Sequence, residues 1–255
     1  GRGGSDTTAV ALAAALGAEA CEIYSDVDGI FSTDPRIVED AHKLEEITYE
    51  EMQELARMGA KVLNATAVEF ARRAGIALYA RSTHAAGTGT HIHGGGNFRR
   101  VDGLEETIAE QEHGLGIRAV TGFDTLLHIQ WPGDPDALFG LIADIDAPWC
   151  HSDADTTTVL LARDDIHDER SLQAQVRSLN AGAHIGLDRG VLAVVGTGVG
   201  DRARCARAVR AALAQSDVPI YGLRAAGPSV TAMIPNGRLG VALNAVHGLT
   251  HPAGF

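Results

Sequence analysis

Short apolar runs alternate with alanine-rich or amphipathic stretches along this chain, a pattern of strands interleaved with helices. Residues 7–16 carry an alanine/leucine pattern that predicts a helix, with Ser5 or Asp6 as its N-cap and Gly17 as its stop. Residues 20–24 form an apolar run suited to a buried parallel strand. Residues 25–36 are too rich in Asp, Gly and Pro for a regular element and predict a loop. Thr48, with Glu51 three positions on, makes a capping-box pattern that opens a helix over 49–58, which Gly59 breaks. A second helix over 64–74 stops at Gly75, and a short strand over 76–80 follows.

From 91 to 113 the chain turns polar and includes Gly94-Gly95-Gly96, which predicts a linker. Strands are predicted over 126–131 and 156–161, with helices over 134–143 and 168–179. The rhythm then repeats: strands over 191–195, 219–223 and 229–234, helices over 201–214 and 237–246. This recurrence indicates two duplicated α+β modules, one after the other.

Length and charge narrow the picture. The chain has 255 residues, enough for two or three domains, and its 30 glycines suit close helix–sheet packing. A net charge of −12 argues against nucleic acid or an anionic membrane as partner. Cys21, Cys150 and Cys205 are odd in number and widely spaced, which predicts buried free thiols and no metal cluster. No signal peptide and no apolar run of spanning length is visible, so a cytoplasmic protein is expected.

Three segments offer chemistry. Gly1-Arg2-Gly3-Gly4-Ser5-Asp6 combines a cation, a hydroxyl, a carboxylate and glycine amides at a helix start. Arg2 could grip a carboxylate or phosphate, Asp6 could meet an amino group, and the glycine amides could cradle an anion; the turn could equally be a plain helix cap. The loop from Tyr24 to Arg36 leaves the end of a predicted strand, where open α/β sheets place ligands. Its hydroxyls and carboxylates suit a ribose or hydrated Mg2+, and Arg36 suits a phosphate; a surface turn stiffened by Pro35 is the alternative. A calcium loop is excluded because the closing Glu is absent. Lys61, beside Gly59 at a helix break, could reach a phosphate or could simply be solvated.

Taken together, GRGGSDTTA (1–9), EIYSDVDGIFSTDPRIV (22–38), EEITYEEMQELARMGAKVL (45–63) and ARSTHAAGTGTHI (80–92) resemble the aspartokinase family. The resemblance implies the latter part of an amino-acid-kinase-type three-layer sandwich over 1–93, a linker over 94–113, and two ferredoxin-like ACT modules over 114–255. It implies ATP-dependent phosphorylation of L-aspartate to 4-phospho-L-aspartate, with ATP and Mg2+, in the biosynthesis of lysine, threonine and methionine. Arg2, Ser5 and Asp6 would bind aspartate, with Arg2 and Asp6 catalytic. Ser25, Asp26, Phe31, Arg36 and Lys61 would hold the nucleotide. The ACT modules imply an amino-acid effector near Asp134 and Ala137, and a homo-oligomer formed through them.

Several positions depart from that family. Phe31 stands where a Tyr is common, and Asn64-Ala65-Thr66 replaces a His-Pro or similar pair, which would alter the helix start. The Lys-Phe/Tyr-Gly-Gly-Ser/Thr phosphate loop has no counterpart in this sequence, so these residues are expected to supply one wall of a site and to be incomplete for catalysis alone. Gly227-Pro228-Ser229-Val230 and His151-Ser152-Asp153 leave the effector unnamed. Val195 to Gly200 imitates a dinucleotide fingerprint but lacks the third spaced glycine. The competing expectation is a non-catalytic, ACT-containing regulatory subunit or effector-binding protein.

Overall fold

The computed structural model describes residues 4–84, 87–94 and 115–250. Arg2, and residues 95–113 of the expected linker, lie outside the described residues.

The N-terminal unit runs α1 (Gly4–Ala15), β1 (Ala20–Ser25), β2 (Glu46–Thr48), α2 (Tyr49–Arg57), α3 (Ala65–Ala74), β3 (Ala77–Ser82) and β4 (Thr90–His93). Its sheet has the order β1-β3-β4-β2; β1 and β3 pair in parallel, as do β2 and β4, while β3 and β4 are antiparallel. The α2 capping box forms: Thr48 Oγ1 accepts from Glu51 N at 3.2 Å, and Thr48 N donates to Glu51 Oε2 at 3.0 Å. Gly75 ends α3 in the left-handed conformation at φ 68°, a C-terminal stop that a side chain would strain. The Asn64 start is not irregular. Asn64 Oδ1 accepts from Thr66 N and Ala67 N, a well-made N-cap.

Strands β2 and β4 depart from the sequence expectation, which placed 91–93 in a linker. Only Ile92 of β4 is an apolar inward side chain; the other inward position is Thr90, fully buried. Alternation of apolar with polar residues is therefore invisible there, and the strand forms because the Thr90 hydroxyl is satisfied inside. It accepts from Ile30 N at 2.8 Å and donates to Leu44 O at 2.6 Å.

The C-terminal unit runs β5 (Ala119–Pro132), α4 (Asp136–Leu141), β6 (Trp149–Ser152), β7 (Thr156–Leu161), α5 (Glu169–Leu179), β8 (His184–Val195), α6 (Ala203–Gln215), β9 (Gly222–Ala226), β10 (Ser229–Pro235) and α7 (Leu239–His247). All these strands join one antiparallel sheet in the order β6-β7-β5-β8-β10-β9. The modules are not consecutive, as the sequence rhythm suggested. They interleave through the long strands β5 and β8. Ala119–Phe123 pairs with Val191–Val195 beside β10, whereas Leu127–Pro132 pairs with β7, and β8 from His184 to Arg189 lies on the other side of that half. Register shifts between Phe123 and Leu126, and between Leu126 and His128, mark the seam. The seam residues Gly122 to Thr125 lack alternation, which is why the sequence showed only the second half of β5.

One face of this sheet carries two cores. Helices α4 and α5 cover Leu127, Ile129, Trp131, Val159 and Leu161, and α6 and α7 cover Val120, Leu192, Val194, Val230 and Ala232. The opposite face, with Val191, Ala193, Val195 and Leu160, shares a core with Met52, Leu55 and Met58 of the N-terminal unit. Polar ties fix that junction. Glu51 Oε1 accepts from Thr197 N at 2.8 Å and Thr197 Oγ1 at 2.9 Å, and Glu54 Oε1 accepts from Ser229 Oγ at 2.6 Å. Cys21 and Cys205 are buried as expected, but Cys150 is exposed on the edge strand β6. No helix among the described residues is long and apolar enough to cross a membrane.

Backbone meets backbone where Gly59 faces Gly122. Gly59 has φ +104°, and a Cβ there would lie 2.8 Å from Gly122 O. Gly59→Ala is expected to lower the unfolding free energy by ~1–3 kcal/mol, read by urea denaturation, because strain and contact act together. In α3, hydrogen bonds from Arg72, Gln53 and Arg73 hold the Glu69 carboxyl at a pKa of about 2. Its stabilising contribution is present above the unfolded carboxylate value and lost as pH falls through about 2; an NMR titration of Glu69 checks the midpoint.

Candidate functional site

The site is set by where the N-terminal helices begin. The short connections 16–19 and 75–76 return α1 into β1 and α3 into β3, so each helix runs antiparallel to the strand it precedes. Both helix N-termini therefore open toward the carboxyl ends of the parallel pair β1/β3, the edge at which open α/β sheets bind ligands. The two starts are bonded: Asn64 N donates to Asp6 Oδ2 at 3.3 Å. Ser5 Oγ donates to Asp6 Oδ1 at 3.3 Å. Burial and then the charges of Asp6 and Glu22 push the Cys21 thiol above its usual range, which makes Cys21 a poor nucleophile. The positive ends of two helix dipoles gathered at one edge favour an anion.

Ser25 closes β1 opposite Ser82 of β3. Its carbonyl accepts from Thr83 N at 2.8 Å and Thr83 Oγ1 at 3.0 Å, and its hydroxyl bonds within the turn to Val27. Asp26 is exposed beyond it. The rest of the loop is well tied down. Ile30 N bonds to Thr90, and Phe31 bridges Lys43 in antiparallel fashion, half-buried. Ser32 bonds through its hydroxyl to His247 Nε2 at 2.9 Å and through its carbonyl to Val120 N at 2.7 Å. Gly29 is required here: φ is +93°, and a Cβ would stand 2.6 Å from Thr90 Oγ1.

The cations assigned to phosphate are held by carboxylates. Arg36 clasps Asp34 with two bonds, at 3.0 and 2.7 Å, which holds the Asp34 carboxyl below its usual range. Lys61 Nζ lies 2.7 Å from Asp164 Oδ2 in the short turn after β7, so it spans the two units. The sequence did not signal Lys43, which pairs with Asp28 Oδ2 at 2.9 Å. Asp28 Oδ1 is buried without a hydrogen-bond partner among the described residues, and a Cβ on Gly87 would lie 3.3 Å from it. A hard, unsatisfied carboxylate oxygen beside a lysine and a glycine fits the surroundings of a magnesium-bound phosphate chain. Asn64, Thr90 and Lys43 were missed for one reason: each acts on a segment distant in sequence, and no local spacing reports that.

The effector residues are placed less suggestively. Asp134 Oδ1 accepts from Asp136 N at 3.0 Å and its carbonyl accepts from Trp131 Nε1 at 2.8 Å; Ala137 is exposed on α4. Asp134 shapes the turn that leads into α4, and Ala137 lies in its first turn.

Comparison with known proteins adds three findings. Residues 1–82 match the amino acid kinase family. An aspartokinase of Mycobacterium tuberculosis H37Rv is 62% identical over 94 residues, covering 37% of this chain and 22% of that protein. An aspartokinase of Pseudomonas aeruginosa is 34% identical over 262 residues, covering 97% of this chain and 61% of that protein. The chain thus spans between about a fifth and three fifths of the length of these relatives. Among solved structures, Escherichia coli aspartokinase III in complex with aspartate and ADP shares the fold, with TM-score 0.78 and 22% identity over 98% of this chain and 56% of that one.

Thr90→Val keeps the shape but leaves Ile30 N and Leu44 O unpaired in a buried place. A loss of ~1–3 kcal/mol is expected, with faster amide exchange at Ile30 in hydrogen-exchange mass spectrometry.

Proposed function

We propose that this chain belongs to the aspartokinase family and forms the later part of an aspartate kinase, which transfers the γ-phosphoryl group of ATP to the side-chain carboxylate of L-aspartate. The observation that carries this reading is coincidence: the amino acid kinase match over 1–82 contains every residue assigned to aspartate and nucleotide. In the structure, the described members of the aspartate set and Ser25 belong to elements that meet at one edge of β1/β3.

In this reading Asp6 and Ser5 receive the ammonium of aspartate at the start of α1, and Arg2 grips its α-carboxylate. Ser25 and Asp26 hold the ribose, and Phe31 packs beside the base. Arg36 and Lys61 exchange Asp34 and Asp164 for phosphate oxygens when nucleotide enters, a swap between anionic partners that leaves neither cation desolvated alone. Carboxylates such as Asp28 would hold Mg2+, which would supply charge neutralisation to the phosphates. The protein's share of phosphoryl transfer is then positioning and charge compensation, with an oxygen of the aspartate carboxylate forming the new bond to phosphorus and ADP leaving. The interleaved C-terminal modules are the regulatory and pairing half of the protein in this reading, taking an amino-acid effector near Asp134 and Ala137.

The test is aspartate-dependent ADP release by the complete protein, with hydroxylamine trapping of the acyl phosphate. Asp6→Asn is expected to lower kcat/KM for aspartate by roughly ten- to a hundredfold, the worth of one charge-assisted hydrogen bond, while folding is retained. Lys61→Ala is expected to raise KM for ATP. Absence of aspartate-dependent turnover in the complete protein removes the enzyme reading.

A further inference from the structure

Away from the N-terminal unit, one group of side chains has the chemistry of a metal site. His128 lies on β5, and His184 and Asp188 lie on β8. Successive side chains alternate across a strand, so 184, 186 and 188 share one face of β8. His128 is the ladder partner of Gly186 and stands on that same face. Donor atoms of the three residues lie within 4.8 Å of one another. His128 Nδ1 is 3.0 Å from Asp188 Oδ1, and the His128 and His184 rings meet edge-on with centroids 5.5 Å apart.

Gly186 keeps the space between them open. A Cβ there would lie 2.9 Å from Asp188 Oδ1 and 3.1 Å from His184 Nε2. Arg189 takes the other Asp188 oxygen at 2.6 Å, which turns Oδ1 toward the imidazoles, and Arg189 is itself stacked 3.9 Å over the Tyr221 ring. Ligands steadied in this way by neighbours are the usual support of a metal site.

We propose that His128, His184 and Asp188 bind a divalent transition-metal ion of the Zn2+ class, with water completing the coordination. Two imidazole nitrogens and one carboxylate oxygen suit such an ion and would be a poor set for Mg2+ or Ca2+, which take oxygen. The ion takes the place of the 3.0 Å contact between His128 Nδ1 and Asp188 Oδ1. It staples β5 to β8 just past the register shifts, where the two modules exchange strands.

Calorimetric titration of the chelator-treated protein with Zn2+ tests this, with thermal melts and the visible bands of bound Co2+ as second readouts. One equivalent of Zn2+ is expected to bind and to raise Tm, and Co2+ is expected to give tetrahedral-type absorption. His184→Ala and Asp188→Asn change exposed residues, so their folds should persist by circular dichroism. Each is expected to weaken Zn2+ by more than the roughly 10–100-fold that loss of an outer partner costs, and to abolish the Tm rise. Absence of a bound equivalent overturns the proposal, as does binding that survives in either variant, which would put the ion on other histidines such as His91 and His93.

Discussion

The Glu51 carboxylate is the joint on which this molecule turns. It is 3% exposed and has no cation beside it in its hydrogen-bond set; one oxygen closes the capping box on Thr48, and the other takes two bonds from Thr197. A buried carboxylate left without donors is strongly destabilising, whereas hydrogen bonds to a charged group contribute about 1.5–3 kcal/mol each. Helix α2 is therefore started and docked by the same side chain. The cap itself is local, and the oxygen it leaves over finds its donors on Thr197, so the buried carboxylate is fully satisfied when the loop after β8 is in place.

That dependence reaches the candidate site. The loop carrying Phe31 and Arg36 is bonded to the C-terminal unit at three points: Ser32 O to Val120 N, Ser32 Oγ to His247, and Ile37 O to Asn244 Nδ2. Lys61 makes a fourth link through Asp164. A displacement of the C-terminal helices bears directly on the loop proposed to hold nucleotide, without any intermediate layer. These contacts join the loop directly to the C-terminal unit.

Several local features around the candidate site were legible in the sequence because their cues are local. The capping box at Thr48 and Glu51, the glycine stop at Gly75 and the loop after β1 depend on spacings of a few residues, and each formed as expected. The site's supports were not legible. Thr90 steadies Ile30 across 60 positions, Asp6 reaches Asn64 across 58, and Lys61 meets Asp164 across 103. A threonine in a strand or a lysine after a glycine looks the same in sequence whether or not its partner exists. Ion pairing also changes the reading of Arg36 and Lys61, each of which is engaged with a carboxylate.

The chain by itself determined its helices, to within about three residues at either end, and the presence of two α+β rhythms, because hydrophobic period and capping chemistry act within one or two turns; it did not reveal β2, β4, β6 or the first halves of β5 and β8, and Ser5 and Asp6, expected as caps, lie inside α1. Tertiary structure alone determined that the rhythms interleave. The apolar runs in β5 and β8 do not say which half pairs with which neighbour, and the register shifts near Leu126 satisfy both cores at once only when the whole sheet is assembled. The same assembly gathers His128, His184 and Asp188 around Gly186, since strand pairing, unlike helical spacing, joins residues that the sequence keeps far apart.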